Sequence, residues 1–102
     1  MANVVYQAAV REKLRRWSEV ASAIGMHDLF LATVRTMEER LRADPETWGD
    51  PVKEYRGLRL TQYHSYGSLL IVKYAVHIDG TPVFVMDVRL TPGTPLANAL
   101  GS

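Results

Sequence analysis

The sequence predicts an α+β domain in which two helices pack on one face of an antiparallel sheet. Two segments, residues 8–24 and 28–42, repeat apolar side chains at the spacing of a single helix face. Two later segments, residues 68–78 and 82–90, alternate apolar and polar side chains as half-buried strands do. Because each helix has one apolar stripe to bury and one face of the sheet is apolar, we expect both helices to lie on that face.

The composition is typical of a single globular domain spanning residues 1–102. Hydrophobic residues make up 47% and charged residues 23% of the 102 residues, enough for one core. The net charge of +1 does not indicate a generally basic nucleic-acid-binding protein, and no cysteine is present for a disulfide or a thiolate metal site. The three histidines lack metal-ligand spacing, so we expect no metal or cofactor. Without a signal-peptide pattern or an apolar run of about 20 residues, we expect a cytoplasmic protein with no membrane contact.

The N-terminal half predicts one short strand followed by a helical hairpin. Residues 3–7 favour a short strand, with the lead-in to the first helix as the alternative. The two helices are expected to end at Gly25 and shortly before Pro45. Their short connection predicts an antiparallel pair. Residues 43–51 are expected to form a loop with Trp48 packed against the core, and the C-terminal segment after the last strand is expected to be a loosely held tail.

The C-terminal half predicts a three-stranded β-meander with one apolar face. Its first strand is expected at residues 58–65, ahead of the two alternating segments. The apolar residues are even-numbered in all three strands, so three-residue loops are needed to keep them on a single face. That arrangement pairs Leu60 with Tyr74 and Val76 with Phe84, and leaves the odd-numbered residues on an open face.

The odd-numbered face is predicted to hold the functional residues. The predicted rows across the strands are Thr61, Lys73 and Asp87; Arg59, Ala75 and Val85; and Tyr63, Ile71 and Arg89. Arg59, Lys73 and Arg89 with Tyr63 would combine cations with an aromatic ring, which suits phosphate and base binding. Lys73 opposite Asp87 fits a structural ion pair equally well. His64 fits either a hydrogen-bonded structural histidine or an acid–base group for an RNA 2′-hydroxyl.

The chain resembles the RelE/ParE-like toxin superfamily of bacterial type II toxin–antitoxin systems. The residues that support this are the approach LRADPETWGDPVKEYRGL, the strand with Val72-Lys73-Tyr74, the Asp79-Gly80 turn and the strand VFVMDVR ending at Arg89. The resemblance implies a ribosome-dependent mRNA interferase that uses basic and aromatic residues of the open sheet face, with Arg89 matching the family's arginine at the end of the last strand. Leu69 or Leu70 stands where the family has an arginine after the glycine turn.

The resemblance also implies partners, and the sequence leaves three hypotheses open. Toxins of this superfamily usually pair with an antitoxin peptide, and their targets include ribosome-bound mRNA and, for ParE-type members, DNA gyrase. The first hypothesis is a toxin component acting on RNA through Arg59, Lys73 and Arg89, with Tyr63 or His64 against a base. The second is a non-enzymatic binding module of the same fold, of gyrase-inhibitor or diverged type. The third is a homodimer joined through the odd-numbered face, whose polarity is interrupted by Ile71, Ala75, Val83 and Val85.

Overall fold

The protein has an α+β fold built on one five-stranded mixed sheet, in a computed structural model that describes residues 3–100. The elements, in chain order, are β1 (Val4–Tyr6), α1 (Ala8–Ala23), α2 (His27–Ala43), α3 (Pro45–Trp48), β2 (Asp50–Tyr55), a 3-10 turn (Arg56–Leu58), β3 (Leu60–Tyr66), β4 (Leu70–His77), β5 (Val83–Leu90) and α4 (Pro95–Ala99). The strand order is β1-β5-β4-β3-β2, with β1 parallel to β5 and the other neighbours antiparallel. The predicted α+β class is confirmed, and a short strand and two helices precede a meander as predicted, but the antiparallel meander has four strands and not three.

Helices α1 and α2 bury their apolar stripes on one side of the sheet, which we call the helix face. Each helix contributes three buried side chains, and β4 and β5 supply the matching ones: Val10, Trp17 and Ala21; Phe30, Met37 and Leu41; and Leu70, Val72, Tyr74, Val76, Val83, Val85 and Val88. The chain leaves α1 at Gly25, whose φ of 76° is a left-handed conformation that glycine adopts without a side-chain clash. The opposite side of the sheet, which we call the open face, has no helix packed on it within residues 3–100.

The segment expected to be a loop, residues 43–51, instead contains helix α3 and the start of an extra strand, β2. Five of the six β2 residues are exposed, so no apolar alternation marks this edge strand in the sequence. Its position is set from the core by the buried hydroxyl of Tyr74, which donates to the Pro45 carbonyl (2.5 Å) and accepts from the Gly49 N–H (2.8 Å). Trp48 packs as predicted, with its ring centroid 5.7 Å from that of Tyr74.

The predicted register between β4 and β5 is correct at one end and wrong at the other. Val76 pairs with Val83 and not with Phe84, whereas Lys73 pairs with Asp87 and Ile71 with Arg89 as predicted. The difference is a β-bulge at Met86, which adds one residue to β5 and thereby switches the face on which alternate residues lie. Val83 and Val85, expected on the open face, are therefore fully buried on the helix face, and two of the four apolar residues of the predicted dimer surface are lost.

The predicted register between β3 and β4 is wrong by three residues. Leu60 pairs with His77 and not with Tyr74, and His64 lies opposite Lys73. Leu58, taken as a buried strand residue, is 66% exposed in the 3-10 turn. An odd-numbered shift exchanges the two faces of a strand, so the even-numbered residues of β3 occupy the open face.

The C-terminal segment is not a loose tail as far as residue 100. Thr94 caps α4, its hydroxyl accepting from the Ala97 N–H at 3.2 Å, and Leu96 and Ala97 are buried against the core. Residues 101 and 102, also assigned to the tail, lie outside the described residues.

Candidate functional site

The open face contains a concavity of about 300 Å³ beside the turn between β3 and β4. Its lining residues are His64, Tyr66, Ile71, Lys73, Asp87 and Arg89. Two cross-strand rows bring them together, His64–Lys73–Asp87 and Tyr66–Ile71–Arg89. Three of the residues selected from the sequence, His64, Lys73 and Arg89, therefore meet in one place.

The other two selected residues, Arg59 and Tyr63, lie elsewhere. Arg59 precedes β3 in a left-handed conformation (φ 55°), and its carbonyl accepts from the Ile78 N–H at 2.8 Å, at the end of β3 remote from Tyr66. Tyr63 points to the helix face, where its ring stacks on that of Tyr74 with centroids 5.4 Å apart. Their predicted membership of the open-face cluster is wrong because it depended on the mistaken β3 register.

Lys73 and Arg89 give the concavity positive charge, and the carboxylate in its lining, that of Asp87, is paired with a lysine from outside the concavity. The predicted ion pair between Lys73 and Asp87 is not formed: Asp87 is bound instead by Lys13 of α1, whose ammonium lies 2.7 Å from the carboxylate and also donates to the Val88 carbonyl at 3.2 Å. Strand β1 pairs with β5 only as far as Val85, so Lys13 reaches the part of β5 that has no strand beside it. Within residues 3–100, the side chains of Lys73 and Arg89 have no hydrogen-bond or ion-pair partner.

A chain of hydrogen bonds runs along the open face into the concavity. The Tyr55 hydroxyl donates to Gln62 Oε1 (3.0 Å), Gln62 Nε2 lies 3.2 Å from His64 Nε2, and His64 Nδ1 lies 3.1 Å from the Tyr66 hydroxyl. Tyr55, Gln62 and Tyr66 were not among the residues predicted from the sequence. Polar, hydrogen-bonding residues at every second position from Gln62 to Tyr66 are the signal that could have revealed the last two.

The positive surface continues past Arg89 around the edge of the sheet. A second concavity of about 290 Å³ shares Arg89 and is lined on its other side by Lys13, Arg16 and Trp17 of α1. Arg16 is exposed and has no ion-pair partner within the described part of the chain. An extended anion could therefore contact cations on both sides of Arg89.

No protein-family model, curated protein or solved structure matches the chain. Across residues 3–100, no three His, Asp or Glu side chains are grouped as a metal site requires. None of the helices in that range is both long enough and apolar enough to cross a membrane. The fold and the site together define an α+β domain whose open sheet face has a concavity lined by Lys73 and Arg89.

Proposed function

We propose that this protein is a diverged RelE/ParE-like toxin component of a toxin–antitoxin system that binds and cleaves ribosome-bound mRNA at the open face. The observation that carries the proposal is the meeting of two unpaired cations, Lys73 and Arg89, with His64 and the exposed Tyr66 in one concavity. Arg and Lys bind phosphate, and an exposed aromatic ring offers a packing surface to a nucleotide. The further positive surface beside Arg89 suits a substrate longer than one nucleotide.

The proposed reaction is attack of an RNA 2′-hydroxyl on the neighbouring phosphorus. The new O2′–P bond forms as the P–O5′ bond breaks, giving a 2′,3′-cyclic phosphate and a 5′-hydroxyl; the 2′-hydroxyl proton is lost to water and the 5′-oxygen gains one from water. Negative charge builds up on the non-bridging phosphate oxygens, where Lys73 and Arg89 would stabilise it. Both ring nitrogens of His64 already have protein partners, so its role is to position the Tyr66 side chain. Rate enhancement would come from charge stabilisation and alignment.

The test is induced expression in bacterial cells, with growth and mRNA 5′ ends measured together. The wild type should arrest growth and produce new mRNA ends on ribosome-bound messages, and Arg89→Ala and Lys73→Ala should abolish both effects. Arg35→Ala is the matched control, because it removes one exposed arginine from α2 on the other side of the molecule. Unchanged growth with the wild type would refute a toxin function.

Growth arrest with intact mRNA would refute cleavage and favour the non-enzymatic alternative. A gyrase inhibitor of the same fold should co-purify with gyrase and should keep that binding in Arg89→Ala. The toxin proposal also predicts an antitoxin protein, whose co-expression should restore growth. Light scattering of the purified chain tests the homodimer hypothesis directly.

A further inference from the structure

We infer that Tyr66 is an additional phosphate-binding residue, and that Tyr55, Gln62 and His64 orient its hydroxyl for that role. The inference adds a residue to the site of the proposed function, and it rests on that function in one respect, the identification of the bound phosphate as part of RNA. The hydrogen-bond chain itself belongs to the free protein and can be examined without RNA. Of the four residues in this hydrogen-bond chain, only His64 was predicted from the sequence to be functional.

The direction of each hydrogen bond in the chain follows from the first contact. Two oxygens meet where the Tyr55 hydroxyl lies 3.0 Å from Gln62 Oε1, and only the hydroxyl can supply the hydrogen. The amide nitrogen of Gln62 must then face His64, and it donates to His64 Nε2 across 3.2 Å. His64 Nε2 is therefore the unprotonated ring nitrogen, and Nδ1 holds the hydrogen.

The last bond of the chain leaves one hydrogen available in the concavity. His64 Nδ1–H donates to the Tyr66 oxygen across 3.1 Å, so Tyr66 accepts this bond and keeps its own hydroxyl hydrogen for another partner. Gln62 is only 6% exposed, whereas Tyr66 is 68% exposed. The hydrogen-bond chain therefore passes through a buried amide, which has to be hydrogen-bonded, and ends at a donor that faces solvent.

The ligand that this donor fits is a phosphate oxyanion. Tyr66 shares the concavity with Lys73 and Arg89, so three side chains can donate and none of them has a competing acceptor among the described residues. Asp87, the one carboxylate in the lining, forms its ion pair with Lys13. Hydrogen bonds to an ionised oxygen are stronger than those between neutral groups, so a phosphate gains from the added hydroxyl.

The first arm of the test measures inorganic phosphate binding to the full chain by NMR titration. Tyr66→Phe keeps the ring and removes the donor, and should weaken phosphate binding by about tenfold, the effect of one hydrogen bond to a charged group. Tyr63→Phe is the matched control from the same strand, because its side chain lies on the helix face; it should bind phosphate like the wild type. Equal binding by Tyr66→Phe and the wild type, or no binding by the wild type, overturns the inference.

The second arm detects the His64 tautomer in nitrogen-15 spectra of the imidazole rings, with His64→Gln used to assign the signals. The wild type should show a protonated Nδ1 and an unprotonated Nε2, and Tyr55→Phe should remove that preference without unfolding the protein. Any other wild-type protonation pattern, or an unchanged pattern in Tyr55→Phe, overturns the orienting role. If both arms succeed and cells show no mRNA cleavage, the proposed function fails while the phosphate site stands.

Discussion

Removing the Tyr74 hydroxyl should destabilise the protein strongly, although Tyr74→Phe deletes only one atom. The side chain is 0% exposed, and its hydroxyl serves the Pro45 carbonyl at 2.5 Å and the Gly49 N–H at 2.8 Å. Phenylalanine would leave both backbone groups without this partner. The Pro45 carbonyl is buried, where an unsatisfied group costs about 1–3 kcal/mol, and the Gly49 N–H is partly buried. The free energy of unfolding should therefore fall by about 2 kcal/mol, or roughly 8–16 °C in Tm for a domain of this size.

Urea denaturation followed by tryptophan fluorescence measures this loss. Trp48 lies beside Tyr74, so its emission reports the region that the substitution affects. Tyr63→Phe is the control: it also removes a phenolic hydroxyl, from the ring stacked on Tyr74, but that hydroxyl has no hydrogen-bond partner in residues 3–100. A Tyr74→Phe protein within about 0.5 kcal/mol of both the control and the wild type would refute the reasoning.

Three further predictions concern the same region and the concavity. Burial raises the pKa of Tyr74 to about 12 from its ordinary value of 10.0, so its contribution to stability is complete below pH 10 and should be lost as pH rises towards 12. The free energy of unfolding should therefore fall less steeply with pH in Tyr74→Phe than in the wild type. Parallel curves for the two proteins, from urea melts at a series of pH values, would contradict this. Gly49→Ala should lower the Tm far more than Gly57→Ala does. A Cβ at Gly49 would lie 2.8 Å from two oxygens, whereas one at Gly57 meets nothing within 4 Å. Equal Tm values for the two variants would contradict the close packing around Gly49. Lys13→Ala should cost no more than about 1 kcal/mol of stability, because the ion pair between Lys13 and Asp87 is partly exposed. It should nevertheless weaken phosphate binding measurably, because Asp87 would then lack a cation partner. Unchanged phosphate affinity would show that Asp87 does not act on the site.

The sequence was sufficient to predict the fold class, because the class depends on long, regular patterns. The helix stripes and the alternation in β4 each contain several apolar residues, so one exception does not alter the outcome. Strand β2 could not be found in this way. Its side chains are nearly all exposed, and it is held by backbone pairing with β3 and by the Tyr74 hydroxyl acting on Gly49. Neither contact leaves a periodic pattern in the sequence.

The candidate site depended on register, which local patterns define poorly. The bulge at Met86 comes at the end of four consecutive apolar residues, 83–86, which show no alternation that would indicate where β5 changes face. In β3, the two buried residues, Gln62 and Ser65, are polar, while Leu58, in the 3-10 turn before the strand, is exposed. Polarity therefore predicted the wrong face for β3, and the error exchanged Tyr63 for Tyr66 as the aromatic residue of the site.

The strand that the sequence concealed is also the one that connects the core to the site. Its first residue, Asp50, pairs with His64, and its last, Tyr55, supplies the hydroxyl that fixes the Gln62 amide. Tyr74 holds the backbone immediately before this strand, at Gly49, from inside the core. Loosening that anchor should therefore disturb the His64 hydrogen bonds from the opposite side of the sheet. Polar contacts on the two faces of the sheet therefore position the residues of the concavity: Tyr74 acts on Gly49 from the helix face, and Tyr55 and Gln62 act on His64 along the open face.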